Sequence, residues 1–394
     1  MPQQRLRAVF MRGGTSKALM LHRADLPADP ADWASIFLAA MGSPDPNGRQ
    51  LDGMGGGISS LSKVCVIGPP TRADADVDYT FAQIGVCSAQ VDYSANCGNM
   101  SSAIGPFAVD EGLVDAPADG QGVVRIHNTN TSKIIVSRFP MQAGQAAVDG
   151  DFVLDGVAGS AAPVQLDFEN PGGARTGKLL PTGHAQDTVQ IGEGTTARSV
   201  SVSMVDAGNP CVFVEAASLG ATGTELPGDL DQSPTLLAQL EAIRRQASVA
   251  MGLAKTLAAA AGIPGVPKVA MIAPAGPSTT LNGQVLASQD VDILVRMISI
   301  GQPHRAVPLT GALCLAAACR VPGSVPYGLL TEAARSGTVR IGHPSGMVLV
   351  AADVETTADG VHVHRSTVFR SARRLFQGEV FYRAPAMARL KAAE

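Results

Sequence analysis

Aromatic side chains are scarce in this chain, at 4% of 394 residues, and there is a single tryptophan. Its cores must therefore be built from Ala, Val, Leu and Ile, with the 43 glycines supplying tight turns. Charge is scarce as well. Charged residues make up 16% against 45% hydrophobic, a balance that excludes a disordered chain. No basic excess exists, the net charge being −4, so no nucleic acid is expected as a partner. No apolar run is long enough to span a bilayer, since Lys255 interrupts the nearest one, and no membrane association is expected. The opening MPQQRLRAVFMRGG lacks an apolar signal core. Six cysteines (Cys65, Cys87, Cys97, Cys211, Cys314 and Cys319) are scattered without a CxxC pair, which points to reduced thiols and a cytoplasmic location. GMGGG lacks the spacing of a dinucleotide site, no GxxxxGK[ST] or GxSxG occurs, and only His362 and His364 fall close together. A phosphate-binding loop, a serine hydrolase and a metal site are accordingly not expected.

What is present is a succession of short strands. RLRAVFM, VCVIG, YTFAQIGV, VVRIHNTN, KIIVSRF, SVSMV, CVFVEA, KVAMIA and MVLVAADV carry β-branched or alternating patterns between Gly, Pro and Asp turns. Helices are predicted over 30–41, over 234–257 with a break near Gly252, and over 290–301. Two shorter helices open on glycine-bearing polar turns, one after Asn96-Cys97-Gly98-Asn99 and one after Leu309-Thr310-Gly311. Their small side chains suit a helix buried within a sheet, its positive N-terminus facing outward. FMRGGTSKALML and VDAGNPCVFV are both strand, glycine turn, strand. A turn-hairpin followed by a turn-helix thus occurs in each half, a loose internal duplication. The length suits two domains. The boundary is expected at PTGHAQD, giving 1–185 and 186–371, with 372–394 returning to complete the first domain.

Lys63 follows a glycine cluster and opens a β-branched run; a lysine desolvated there can serve as a base, although most lysines are simply exposed. Cys97 heads a helix, a position that favours a thiolate, although buried cysteines are commonly inert. Asn96, Gly98 and Asn99 beside it suit a carboxylate or oxyanion cradle. Arg12, Thr15, Ser16 and Lys17 place cations and hydroxyls on a glycine turn, as carboxylate recognition requires and as many polar hairpins also do. Asn209, His304, Arg305, Thr310 and Gly311 are further candidates for contacting an acid, and His343 and Ser345 in GHPSG, equally a turn between strands, are weaker ones.

MRGGTSKA, MGSPDPNGRQLDGMGGG, SSLSKV, NCGNMSSAIGPFA, FENPGG, DAGNP, TGTEL and GHPSG together resemble the 2-methylaconitate cis–trans isomerase (PrpF) family. That family also includes 4-oxalomesaconate tautomerases and 3-methylitaconate Δ-isomerases. The resemblance implies an α+β diaminopimelate epimerase-like fold: two pseudo-symmetric domains, each a β-barrel-like sheet around a central helix, with the active site in the cleft between them. It also implies Lys63 as catalytic base and Cys97 as its partner across the substrate. No cofactor is implied. The substrate is a small polycarboxylate, 2-methylaconitate being the first expectation, and a homodimer is compatible with the family. A two-thiol racemase would need a cysteine heading the second helix, where Leu309 and Thr310 stand. A non-catalytic carboxylate-binding module is the alternative from another class.

Overall fold

A computed structural model describes residues 3–93, 96–192, 197–299, 301–357 and 360–383. The chain forms two compact units, Met1–Leu166 with Arg370–Glu394, and Asp167–Phe369. In the first, β1 (Gln4–Gly13) and β2 (Ser16–His22) form an antiparallel hairpin. Helix α1 (Trp33–Met41) leads to β3 (Lys63–Gly68), which lies parallel to β2, and β4 (Val77–Ile84) runs antiparallel to β3. Helix α2 (Gly98–Asp110) follows, then β5 (Gly120–Asn128) parallel to β4 and β6 (Lys133–Gln142) antiparallel to β5.

The second unit repeats this path. Its hairpin is β7 (Arg198–Asp206) with β8 (Pro210–Glu215), and α3 (Pro234–Ala250) leads to β9 (Lys268–Pro274), parallel to β8. Strand β10 (Ile293–Ser299) is antiparallel to β9; α4 (Leu309–Ala318) precedes β11 (Thr338–His343), parallel to β10. Strand β12 (Gly346–Thr357) is antiparallel to β11, and β13 (Gly360–Arg370) to β12. The last strand, β14 (Ala372–Tyr382), pairs with β1 and so belongs to the first unit. The two units share one succession of antiparallel and parallel pairings, with helices inserted at the same two points. This is the duplication expected from the two hairpins and two glycine turns, in the epimerase-like α+β fold expected from the resemblance.

The central helices are buried because their residues are small. Every residue of α2 from Met100 to Val109 is buried, and so is every residue of α4 from Gly311 to Ala318. A Cβ on Gly105 would lie 2.5 Å from Ser137 Oγ and 2.7 Å from a Phe139 ring carbon on β6. Helix α1 instead buries one stripe, Trp33, Phe37, Ala40 and Met41, and ends on left-handed Gly42.

One expected helix proves to be a strand. The predicted helix over 290–301 is strand β10, because the segment is buried on both faces and has strands on both edges. Val291, Leu294, Val295 and Ile298 imitate a helical stripe, an ambiguity inherent in short apolar runs. Arg296 within it is 1% exposed, donating to Ser278 Oγ at 2.9 Å and to the carbonyl oxygens of Glu225 and Val295 at 2.6 and 2.9 Å. Burial lowers its pKa to about 10. The helix expected over 234–257 breaks where expected: it ends at Ala250, Gly252 turns with φ 74°, and a separate short helix covers Leu257–Ala261.

The units meet at 166/167, whereas the sequence placed the boundary at 185/186. Asp167 accepts a hydrogen bond from Thr367 at 2.6 Å, and the Asn170 and Gly173 amides donate to His364 and Asp206 carbonyls at 2.8 Å. These bonds tie the intervening segment to the second unit. Of the returning segment 372–394, residues 384–394 lie outside the described residues.

The β1–β2 turn packs on the head of α2. A Cβ on Gly13 would come within 2.7 Å of the Asn99 carbonyl oxygen and 3.0 Å of Met100 Cα. Since both are backbone atoms, Gly13→Ala is expected to destabilise the protein by about 1–3 kcal/mol. Urea denaturation with an unchanged midpoint would show that the contact is not tight.

Candidate active site

In the first unit all six residues of β3 are buried, and Lys63 at its start is 7% exposed. Register places Gln83 of β4 directly opposite Lys63, and Phe81 opposite Cys65. The Lys63 amine donates to Gln83 Oε1 at 2.5 Å and lies 5.1 Å from the Phe81 ring centroid. Among the described residues no carboxylate pairs with it. The reading of Lys63 as an exposed strand-edge lysine is therefore excluded by burial.

Cys97 occupies the N-cap of α2, with extended backbone and a half-buried side chain that makes no capping bond. Its carbonyl accepts from the Ser101 amide at 3.0 Å, so the thiol is spared from holding the helix. Asn96 Oδ1 accepts from Ser101 Oγ at 3.2 Å. The neighbourhood of Lys63 and Cys97 overlaps at Cys65. Burial pushes the Cys65 thiol pKa up; Cys97 adds to the rise, and the Tyr79 hydroxyl and Lys63 oppose it. Tyr79 is likewise pushed up by burial, with Cys65 and Cys97 contributing. Cys65 and Tyr79 thus stay neutral beside the other two.

The glycine turn presents a second group of residues to the same helix head. Asn99 donates through Nδ2 to Thr15 Oγ1 at 3.1 Å and accepts from Arg370 Nε at 3.2 Å. Arg12 turns back on its own loop, donating to the Gly14 and Ser371 carbonyls at 3.0 Å and Ser371 Oγ at 3.1 Å. Burial and then neighbouring Arg373 lower its pKa. Lys17 lies over the Phe10 ring at 5.9 Å, and Ser16 is buried in the hairpin. Arg12 and Lys17 therefore brace the turn, while Thr15 and Asn99 meet.

In the second unit Thr310 and Gly311 open α4, and Gly311 lets the helix approach Met297, whose sulfur would lie 2.6 Å from an added Cβ. His304 Nδ1 accepts from the Ala306 amide at 3.1 Å, and Ser345 Oγ donates to the Arg305 carbonyl at 2.5 Å. Asn209 bonds within its own turn, its carbonyl accepting from Cys211 Sγ at 3.5 Å and its Nδ2 donating to the Pro210 carbonyl at 3.5 Å. Cys314 is buried within α4, donating to the Val205 carbonyl at 3.3 Å, and does not head the helix. This removes the geometry that a two-thiol racemase would need.

Three residues escaped the sequence reading. Gln83 holds the Lys63 amine, and Arg370, 7% exposed with a pKa lowered to about 10 by burial, reaches Asn99. The third is Lys268. It opens β9 as Lys63 opens β3, with Val212↔Val269 matching Leu19↔Val64 in the parallel pairings. Burial lowers its pKa, opposed by Cys211. The shared Lys-Val start of the two strands was the available signal.

Comparison with known proteins decides the family. The profile of the PrpF protein matches residues 3–383. The chain belongs to the PrpF family. It is similar to the 3-methylitaconate isomerase of Eubacterium barkeri, at 40% identity over 381 residues covering 96% of this chain and 97% of that one. It is also similar to the 2-methyl-aconitate isomerase of Cupriavidus necator, at 39% over 390 residues and 96% and 97% coverage. Among solved structures, a methylitaconate-delta-isomerase matches with a TM-score of 0.88 at 39% identity, over 97% of this chain and 96% of that chain. This PrpF-family chain is an isomerase.

Burial first, then the charge of Lys268, lowers the His304 pKa below its ordinary 6.5. The unfolded chain then binds more protons in the window just below 6.5, so this group's contribution to stability is present above that value and is lost as pH falls through the folded pKa. Thermal melts between pH 7.5 and 5 should show His304→Gln losing less stability than the parent. Equal losses would contradict the shift.

Proposed function

We propose that this enzyme isomerises an unsaturated di- or tricarboxylic acid by allylic proton transfer, with Lys63 as base. The observation that carries the reading is the burial of Lys63 against an amide, in the same unit as the small-residue helix that Cys97 caps. A proton allylic to a C=C bond conjugated with a carboxylate is weakly acidic. Lys63 in its neutral form takes that proton, and the electron pair spreads through the double bond onto the carboxylate oxygens. The first-turn amides of α2, unpaired within the helix, stabilise that charge, with Asn96 and Asn99 framing them. Return of the proton to the far allylic carbon shifts the double bond; return to the original carbon after rotation gives cis–trans isomerisation. Cys97 or the Lys63 ammonium delivers it.

The names of the relatives support two acids of one class, and 2-methylaconitate is our first choice. 3-Methylitaconate and 4-oxalomesaconate are the alternatives. Proton transfer by these side chains requires no cofactor. Free cysteines support a cytoplasmic location.

NMR of the three acids and aconitate incubated with enzyme in D₂O should show allylic deuterium entering at least one of them. No exchange in any would overturn the reading. Lys63→Ala should lose about 10²–10⁴-fold in kcat, the range for a general base. Full activity would move the base elsewhere, and an undiminished Cys97→Ser would remove the thiol from proton transfer.

A further inference from the structure

The environment of Lys63 contains a second constraint. Gln83 Nε2 donates to two backbone carbonyls, Ser59 and Ser62, each at 3.0 Å. Carbonyl oxygens cannot donate, so the amide nitrogen must face them and Oε1 must face Lys63. The 3-10 turn over Ser59–Leu61 and the start of β3 therefore set the orientation of the Gln83 amide.

That orientation has chemical consequences. An amide oxygen accepts a hydrogen bond from a lysine in either protonation state. In a neutral amine, one N–H engaged by Oε1 and the Phe81 ring on another side leave a restricted direction for the lone pair. Once the amine has taken a proton, the same oxygen stabilises the ammonium. A carboxylate here would hold the ammonium before reaction and leave no lone pair. Among the described residues, the groups that contact the Lys63 amine are Gln83 and the Phe81 ring on β4, and neither is a carboxylate.

We propose that Gln83 is a positioning residue for proton transfer, aiming the lone pair of Lys63 through one hydrogen bond while adding no charge. The inference rests on Lys63 being the base. Gln83→Glu pairs the amine with a carboxylate and should shift the acid limb of kcat/KM to higher pH by about one unit or more, a tenfold loss at neutral pH that recovers on raising the pH. Gln83→Met removes the acceptor at similar volume and should lower kcat about 10–100-fold with KM changed less than about threefold. A substrate-free reading comes from protein labelled with [ε-¹³C]lysine, in which the Lys63 signal, assigned through Lys63→Ala, should titrate at higher pH in Gln83→Glu than in the parent.

With 2-methylaconitate and 3-methylitaconate as substrates, a parent-like pH profile in Gln83→Glu or a parent-like kcat in Gln83→Met would overturn the proposal. So would an unmoved Lys63 titration. Should Gln83→Glu fail to fold, Gln83→Met decides. An active Lys63→Ala would sink the base assignment itself, whereas an inactive Lys63→Ala with unaffected Gln83 variants would sink only the role of Gln83.

Discussion

Burying an amine with no carboxylate partner among the described residues is the constraint on which the first unit turns. Most lysines stay exposed or pair their charge. Here the side chain opens a fully buried strand, and its polar contact is the amide of Gln83. The backbone turn before β3 and the β3–β4 register both converge on that contact. A lysine kept against an amide in this way is not a structural ion pair, and we propose it as the base.

The second requirement is a helix whose positive end is reachable. Helix α2 can lie within the strands because Ala, Gly and Ser leave room for neighbouring backbone, as the close approach of Gly105 to β6 shows. Glycines of the β1–β2 turn let that hairpin press on the head of the helix. Cys97 is consequently held at the N-cap by backbone, leaving its side chain uncommitted to the cap. The second unit carries the same strand–helix succession with Thr310 and Gly311 at the helix start and Lys268 at the matching strand start. The helix starts differ: Cys97 caps α2, whereas Pro308 caps α4, with Leu309 and Thr310 following.

Much of this was legible before any coordinates. Glycine turns opening onto small-residue runs announced α2 and α4, and the two hairpins announced the repeat. Motif resemblance supplied Lys63 and Cys97. What could not be read depended on pairing between distant segments. Gln83 meets Lys63 only because β3 and β4 are in a particular register, and Arg370 meets Asn99 only because the chain end returns to β1. Strand β10 was taken for a helix because burial on both faces erases the alternation that marks a strand. Nor does residue type show that Arg12 bonds to Gly14 and Ser371, that Lys17 lies over Phe10 or that Asn209 bonds within its own turn.

The central claim concerns one nitrogen atom and one carbon atom. A crystal structure with a bound saturated tricarboxylate such as tricarballylate, which offers methylene carbons beside carboxylates but cannot react, tests it most directly. The account predicts a methylene carbon about 3–3.5 Å from Lys63 Nζ, the separation of a near-attack geometry. An acid seated with all its carbons beyond hydrogen-transfer reach of that amine would contradict it.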